Sequence, residues 1–254
     1  MNVNSQIADI MGQDAYQKSQ LKTDNELCDI QIDYIQYYRK SKYWKYINSE
    51  AKASALHDYF AQLRGFCTVC TEDPEGDDEP AALQPKGEYR AEISEFFRDG
   101  ELVSLRSSYA GRSVDEHGWH GADGMNFGGS DCGSFTLEDL FALDEGHALQ
   151  IIKRCDEILK RDGSTFTAAE GKAQISLADK IDGTFLTASD MLGHFNFNDH
   201  GIVLNFSSVV GLPRAAGELE MTVPWTAWDF EVAEAYEHVQ IAKFIYGKKN
   251  SAHS

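Results

Sequence analysis

The chain has 254 residues, with 41 Asp and Glu against 23 Lys and Arg, for a formal net charge of −18 at pH 7. An acidic excess of that size repels nucleic-acid phosphates and anionic membrane surfaces, and it speeds encounter with a basic partner. A hydrophobic content of 42% suffices for a full core, and no run approaches the roughly 20 apolar residues of a membrane helix.

Residues 1–24 are polar and read as an N-terminal arm. They contain no basic start followed by an apolar stretch, so the chain as written shows no secretory signal and is expected in the cytoplasm if it is complete. The remaining residues, 25–250, are expected to form a single domain. In "LCDIQIDYI" the residues Cys28, Ile30, Ile32 and Tyr34 alternate with Asp29, Gln31 and Asp33, which predicts a half-buried strand. From Trp44 the period changes: Trp44, Ile47, Ala51, Ala55, Tyr59 and Leu63 recur at helical spacing and predict an amphipathic helix. The stretch 71–80 is acidic, carries two prolines and reads as a solvated loop.

"YRAEISEFFRDGELVSLRSSY" is two alternating runs joined at Asp99-Gly100, a pair suited to a tight hairpin turn. The glycine-rich stretch Ser107–Ser134 reads as a long loop leaving this hairpin. Thr136 with Asp139 is a helix N-cap signal ahead of a short helical turn. A longer helix is expected over Glu145–Arg161, with Leu149, Ile152, Cys155 and Leu159 on its apolar face. Residues 164–190 are mixed and define no element. "HFNFNDHGIVLNF" predicts a second hairpin turning at Asn198–Gly201, and "GELEMTVPW" a strand ended by Pro224. From Thr226 to Gly247 the stripe Trp228, Val232, Ala235, Val239 and Ala242 predicts a closing helix. This mixed order predicts an α+β fold, an antiparallel sheet built from hairpins with helices packed against it.

Chemistry-bearing residues crowd into Ser107–Ser134. His117 and His120 are three apart, with Asp115 and Asp123 nearby, and a metal-dependent hydrolase is one reading of them. The surrounding glycines oppose the helix that would bring both imidazoles to one face, and the H-E-x-x-H order of zinc proteases is absent. "GGSDCGS" lacks the G-x-S-x-G order of a nucleophile elbow, so Ser130, Cys132 and Ser134 read as turn residues. Five cysteines form no evident disulfide framework. Cys67 and Cys70 are a C-x-x-C at the end of a helix, where no dipole favours a thiolate, and they read as incidental or disulfide-linked. No phosphate-binding or dinucleotide motif occurs, and no cofactor or metal is expected. Aromatic and histidine side chains on a glycine-rich loop suit recognition better than catalysis.

Two stretches carry a resemblance. "SFTLEDLFALDEGHALQIIKRCDEILKRDG" is similar to the LeDLF segment and following helix of the RsiV-type domain family. "FNFNDHGIVLNFSSVVGLPRAAGELEMTVPW" resembles that family's closing segment, with Phe195, Phe197, Ala215, Ala216, Gly217, Val223 and Pro224 at matching places. Tyr109–Gly111 looks like the start of its Y-x-G-G-A-H loop, although the segment after Gly111 is longer and different in content. The family occurs in bacterial cell-envelope proteins, as lysozyme-sensing ectodomains of anti-sigma factors and beside peptidoglycan deacetylase domains. The resemblance implies a binding module without chemistry of its own, in an extracytoplasmic setting. It implies as partner a basic protein, lysozyme or another muramidase, or a peptidoglycan fragment, with neither nucleic acid nor membrane insertion. At the position of the family's recognition loop, Tyr109, Arg112, His117, Trp119, His120 and Asp123 are the expected contacts.

Overall fold

A computed structural model of the chain describes residues 16–66, 86–112, 118–161, 177, 187–206 and 219–251. The fold is α+β, and the chain divides into two compact units, through Ser94 and from Glu95. Strands β1 (Tyr16–Asp24), β2 (Cys28–Tyr37), β3 (Gly87–Asp99), β4 (Leu102–Arg112) and β5 (Trp119–Gly128) follow one another in that order in a five-stranded sheet. A three-stranded sheet has the order β6 (Phe195–Phe197), β7 (Gly201–Asn205), β8 (Glu220–Pro224). The helices are α1 (Lys42–Phe66), α2 (Leu137–Phe141), α3 (Glu145–Arg161), α4 (Ala188–Gly193) and α5 (Gln240–Ser251).

In the first unit the alternation of β2 buries Cys28, Ile30 and Ile32 completely. α1 lays Trp44, Ile47, Ala51 and Ala55 against that strand, all at most 3% exposed. The small alanines let the helix approach closely. The Asn48 side chain fixes the contact, accepting the Tyr37 N–H at 2.7 Å and donating to its carbonyl at 2.9 Å. The β2–β3 pair is parallel, unlike the hairpins on either side, because α1 lies in the connection between the two strands. Residues 16–24, expected in the polar arm, form β1. They pair antiparallel with β2 in a strand exposed enough to keep its polar side chains in water. The rest of the arm and the acidic stretch 71–80 lie outside the described residues, as do Cys67 and Cys70.

The second unit is centred on the apolar side chains of α2, α3, α4, α5 and the small sheet, with Phe197, Phe206, Leu137 and Leu140 fully buried. Gly100, at φ 63°, turns the β3–β4 hairpin as its Asp-Gly sequence predicts. Thr136 caps α2 by accepting the Asp139 N–H at 3.1 Å. The closing helix is shorter than its stripe predicts. It begins at Gln240, and Thr226 sits instead in a 3₁₀ turn at Trp225–Ala227. Between them Trp228, Phe230 and Val232 alternate with exposed Asp229 and Glu231 in extended chain. The Ala233 N–H then bonds the Leu140 carbonyl at 2.8 Å, tying the segment to α2. A period of two had been masked by residues that also fit a period of 3.6.

Candidate functional site

The glycine-rich stretch Ser107–Ser134 folds as the end of β4, the strand β5 and a turn; residues 113–117 between the strands lie outside the described residues. β5 replaces the loop expected there. Its glycines are places where another group lies against the backbone. A β-carbon at Gly121 would stand 2.7 Å from the Tyr109 ring, and one at Gly111 would stand 2.5 Å from the Trp119 ring. Both are directly opposed pairs in the register, Tyr109 with Gly121 and Gly111 with Trp119. Each aromatic ring therefore lies over the glycine facing it, an arrangement that shields an otherwise weak glycine pairing.

Opposed residues in an antiparallel ladder share a face. Tyr109, Trp119 and Asp123 consequently lie on one face of the β4–β5 hairpin, and Arg112 and His120 on the other. The expected contact set is divided between two surfaces, and His117 lies outside the described residues. Toward its inner end the hairpin is pinned by a buried polar network. Ser104 Oγ donates to Asn126 Oδ1 at 2.7 Å, and Asn196 Nδ2 donates to Ser104 Oγ and to the Leu105 carbonyl, both at 2.8 Å. Asn126 Nδ2 donates to the Phe195 carbonyl at 2.8 Å. Groups buried this deeply are expensive to leave unpaired, so the network fixes one register of β4, β5 and β6.

Asp123 gains a partner that local sequence does not announce. Its Oδ1 contacts His194 Nδ1, 71 residues away in sequence. His194 ends α4, whose start is a capping box: the Thr187 hydroxyl accepts the Asp190 N–H, and the Asp190 carboxylate accepts from the Thr187 backbone. The Thr187 backbone and hydroxyl bonds hold the Asp190 carboxyl below the usual carboxylate range, and the charge of His194 adds to this. The T-x-x-D signature at 187–190 was present in the sequence and could have located α4, and with it His194.

The fold has solved counterparts. The chain is similar in fold to a DUF3298 family protein from Pseudomonas aeruginosa PAO1, at a TM-score of 0.54 and 11% identity, over 87% of this chain and 96% of that one. It is also similar to a member of the DUF3298 family from Bacteroides fragilis, at a TM-score of 0.50 and 14% identity, over 93% of this chain and 98% of that one. No family model and no curated protein matches the sequence.

Among the described residues no group of three or more His, Cys, Asp or Glu is placed to hold a metal ion. Among the described residues Cys132 and Cys155 are free thiols. Burial, reinforced by Asp131, pushes the Cys132 thiol up to about 11. Burial and then Asp156 push Cys155 up to about 12, against a smaller opposing effect of Arg154. Neither supplies a thiolate near neutral pH. Ser130 and Cys132 occupy the turn after β5, where Gly129 has φ 105° and Gly133 φ 78°, and the Ser130 hydroxyl is engaged with Glu101 Oε2 at 2.6 Å. No helix among the described residues is long and apolar enough to cross a membrane.

Proposed function

We propose that this chain is a non-catalytic binding module of the bacterial envelope, of the RsiV type, whose partner is a basic muramidase or lysozyme-like protein or a cell-wall fragment. The supporting observation is the β4–β5 hairpin. Half-buried Tyr109 and Trp119 rings share one face with Asp123, held by opposed glycines and by a buried network beneath. Aromatic rings on a rigid strand give contact area at little cost in side-chain entropy. The −18 charge supplies steering toward a basic partner. The DUF3298 likeness in fold suits the module reading, and no observation among the described residues favours the His117/His120 hydrolase. An extracytoplasmic setting is supported by Cys28, which is disulfide-bonded, since structural disulfides persist in oxidising compartments.

The test is calorimetric titration of the full chain with a basic lysozyme at low and at physiological salt. Association that weakens with salt, and that weakens further in Trp119→Ala and Asp123→Asn, is the expected result. Absence of heat at low salt refutes the partner. Binding unaffected by either substitution refutes the face.

A further inference from the structure

A second surface lies apart from the β4–β5 face, between α3 and β8. Here a groove of about 490 Å³ opens, within the range of ligand and peptide-side-chain sites. One wall is a single face of α3, where Ile151, Cys155 and Ile158 follow helical spacing. The other wall is β8, and it contributes Met221, Thr222 and Val223 in succession. Successive strand residues point to opposite faces of a sheet. A groove touched by both kinds therefore runs along the edge of the strand, not over one of its faces.

Among the described residues no further strand pairs with that edge. β8 ends the three-stranded sheet. The Phe206 N–H bonds the Leu219 carbonyl, and the Trp225 N–H bonds the His200 carbonyl. With the register Ile202 to Val223 and Leu204 to Met221, these bonds make residues 219, 221 and 223 the ones that face β7. In an antiparallel ladder the alternate residues turn their N–H and C=O outward. Glu220 and Thr222 thus turn their backbone groups to the outer edge, where Thr222 lines the groove, and neither meets another backbone group among the described residues. Pro224, which lacks an N–H, closes the edge. Across the mouth Arg154 Nη1 lies 3.8 Å from Asp229 Oδ2, with side chains 70% and 78% exposed. A contact this long and solvated exchanges readily for another carboxylate.

We propose that this groove binds an extended peptide by strand addition to β8. The peptide has apolar residues at alternate positions, which fill the space against α3, and an acidic residue that meets Arg154. Its backbone bonds Thr222 and Glu220, and α3 forms the opposite wall. An edge that no strand among the described residues covers, beside an apolar helix face, suits this mode of recognition.

The test uses the full chain and a set of end-blocked hexapeptides in which Leu, Val or Phe alternates with Thr, each ending in Glu. Fluorescence anisotropy of the labelled peptides is expected to show saturable binding by at least one, with Kd below about 1 mM. Methylating the peptide nitrogens that face β8 is expected to weaken that binding at least about tenfold, since it removes donors and leaves the apolar side chains. Thr222→Pro removes the outward N–H without touching the β7 ladder and is expected to weaken binding similarly, with Ile158→Arg blocking the groove by its other wall. If Thr222→Pro does not fold, the methylated peptides on the unaltered chain decide alone. Binding of the methylated peptides as tight as the parents overturns strand addition. So does the absence of binding by every member of the set, or a dimer in sedimentation that Thr222→Pro dissociates, which would assign the edge to a second copy.

Discussion

Replacing Gly124 with alanine probes the feature on which the site depends, the close approach of β5 to β6. A β-carbon at position 124 would stand 2.5 Å from the carbonyl carbon of Phe195, nearer still to its oxygen, and 3.1 Å from Asn196 Nδ2. Carbon atoms rest at about 3.5–4.0 Å, so β6 must retreat by about 1 Å or more. The retreat overpacks a backbone contact, at about 1–3 kcal/mol. It also draws the Phe195 carbonyl away from Asn126 Nδ2, now at 2.8 Å, and an unpaired buried group costs about 1–3 kcal/mol. The expected loss is about 2–6 kcal/mol, a large share of the roughly 5–15 kcal/mol that stabilises an ordinary domain. Urea unfolding followed by far-ultraviolet circular dichroism measures it. Gly193→Ala is the matched control. It lies in α4 with nothing within 4 Å of its added carbon, and is expected to change stability by no more than about 1 kcal/mol. If Gly124→Ala unfolds within about 1 kcal/mol of the unaltered chain, β5 does not lie beneath β6, and the close-packed strand account of the glycines fails.

Thiol titration in denaturant without reductant is expected to count three thiols per chain, the five cysteines less the two of the Cys28 disulfide; a count of five would remove that bond and the support it lends to an oxidising compartment. Under native conditions at pH 8, iodoacetamide is expected to leave Cys155 unmodified, because burial raises its thiol to about 12, and mass spectrometry of the digested chain reads the outcome. Thr187→Ala should cost about 1 kcal/mol by removing the cap of α4, as thermal unfolding will show. The Asp190 carboxyl is held below its unfolded value of 3.8, so its contribution is complete above that pH and is lost as pH falls through the folded value. Asp190→Asn should therefore lower stability at pH 7 and cease to matter in strong acid, and an equal deficit at both extremes would contradict the assignment.

What the sequence determined by itself is local. Alternation in β2, β3, β4 and β7 announces strands because the side-chain period of two is written in consecutive residues. The span of α3 and the Thr136 cap were legible for the same reason, since each depends on neighbours within four positions. The limits of β5 were not legible. Its glycines belong to a strand only because Tyr109 and Trp119 cover two of them from across the hairpin, and because Phe195, 71 residues beyond Gly124, lies on a third. Read without those partners, the same residues are a flexible loop. Tertiary structure also decided which face each expected contact occupies. The pairing of β4 with β5 sets Tyr109, Trp119 and Asp123 together and turns Arg112 and His120 away, and a one-residue change of register would instead put Tyr109 with His120 and Arg112 with Trp119 and Asp123. The buried Ser104, Asn126 and Asn196 network holds the register, and its members come from three strands that only the folded chain brings together.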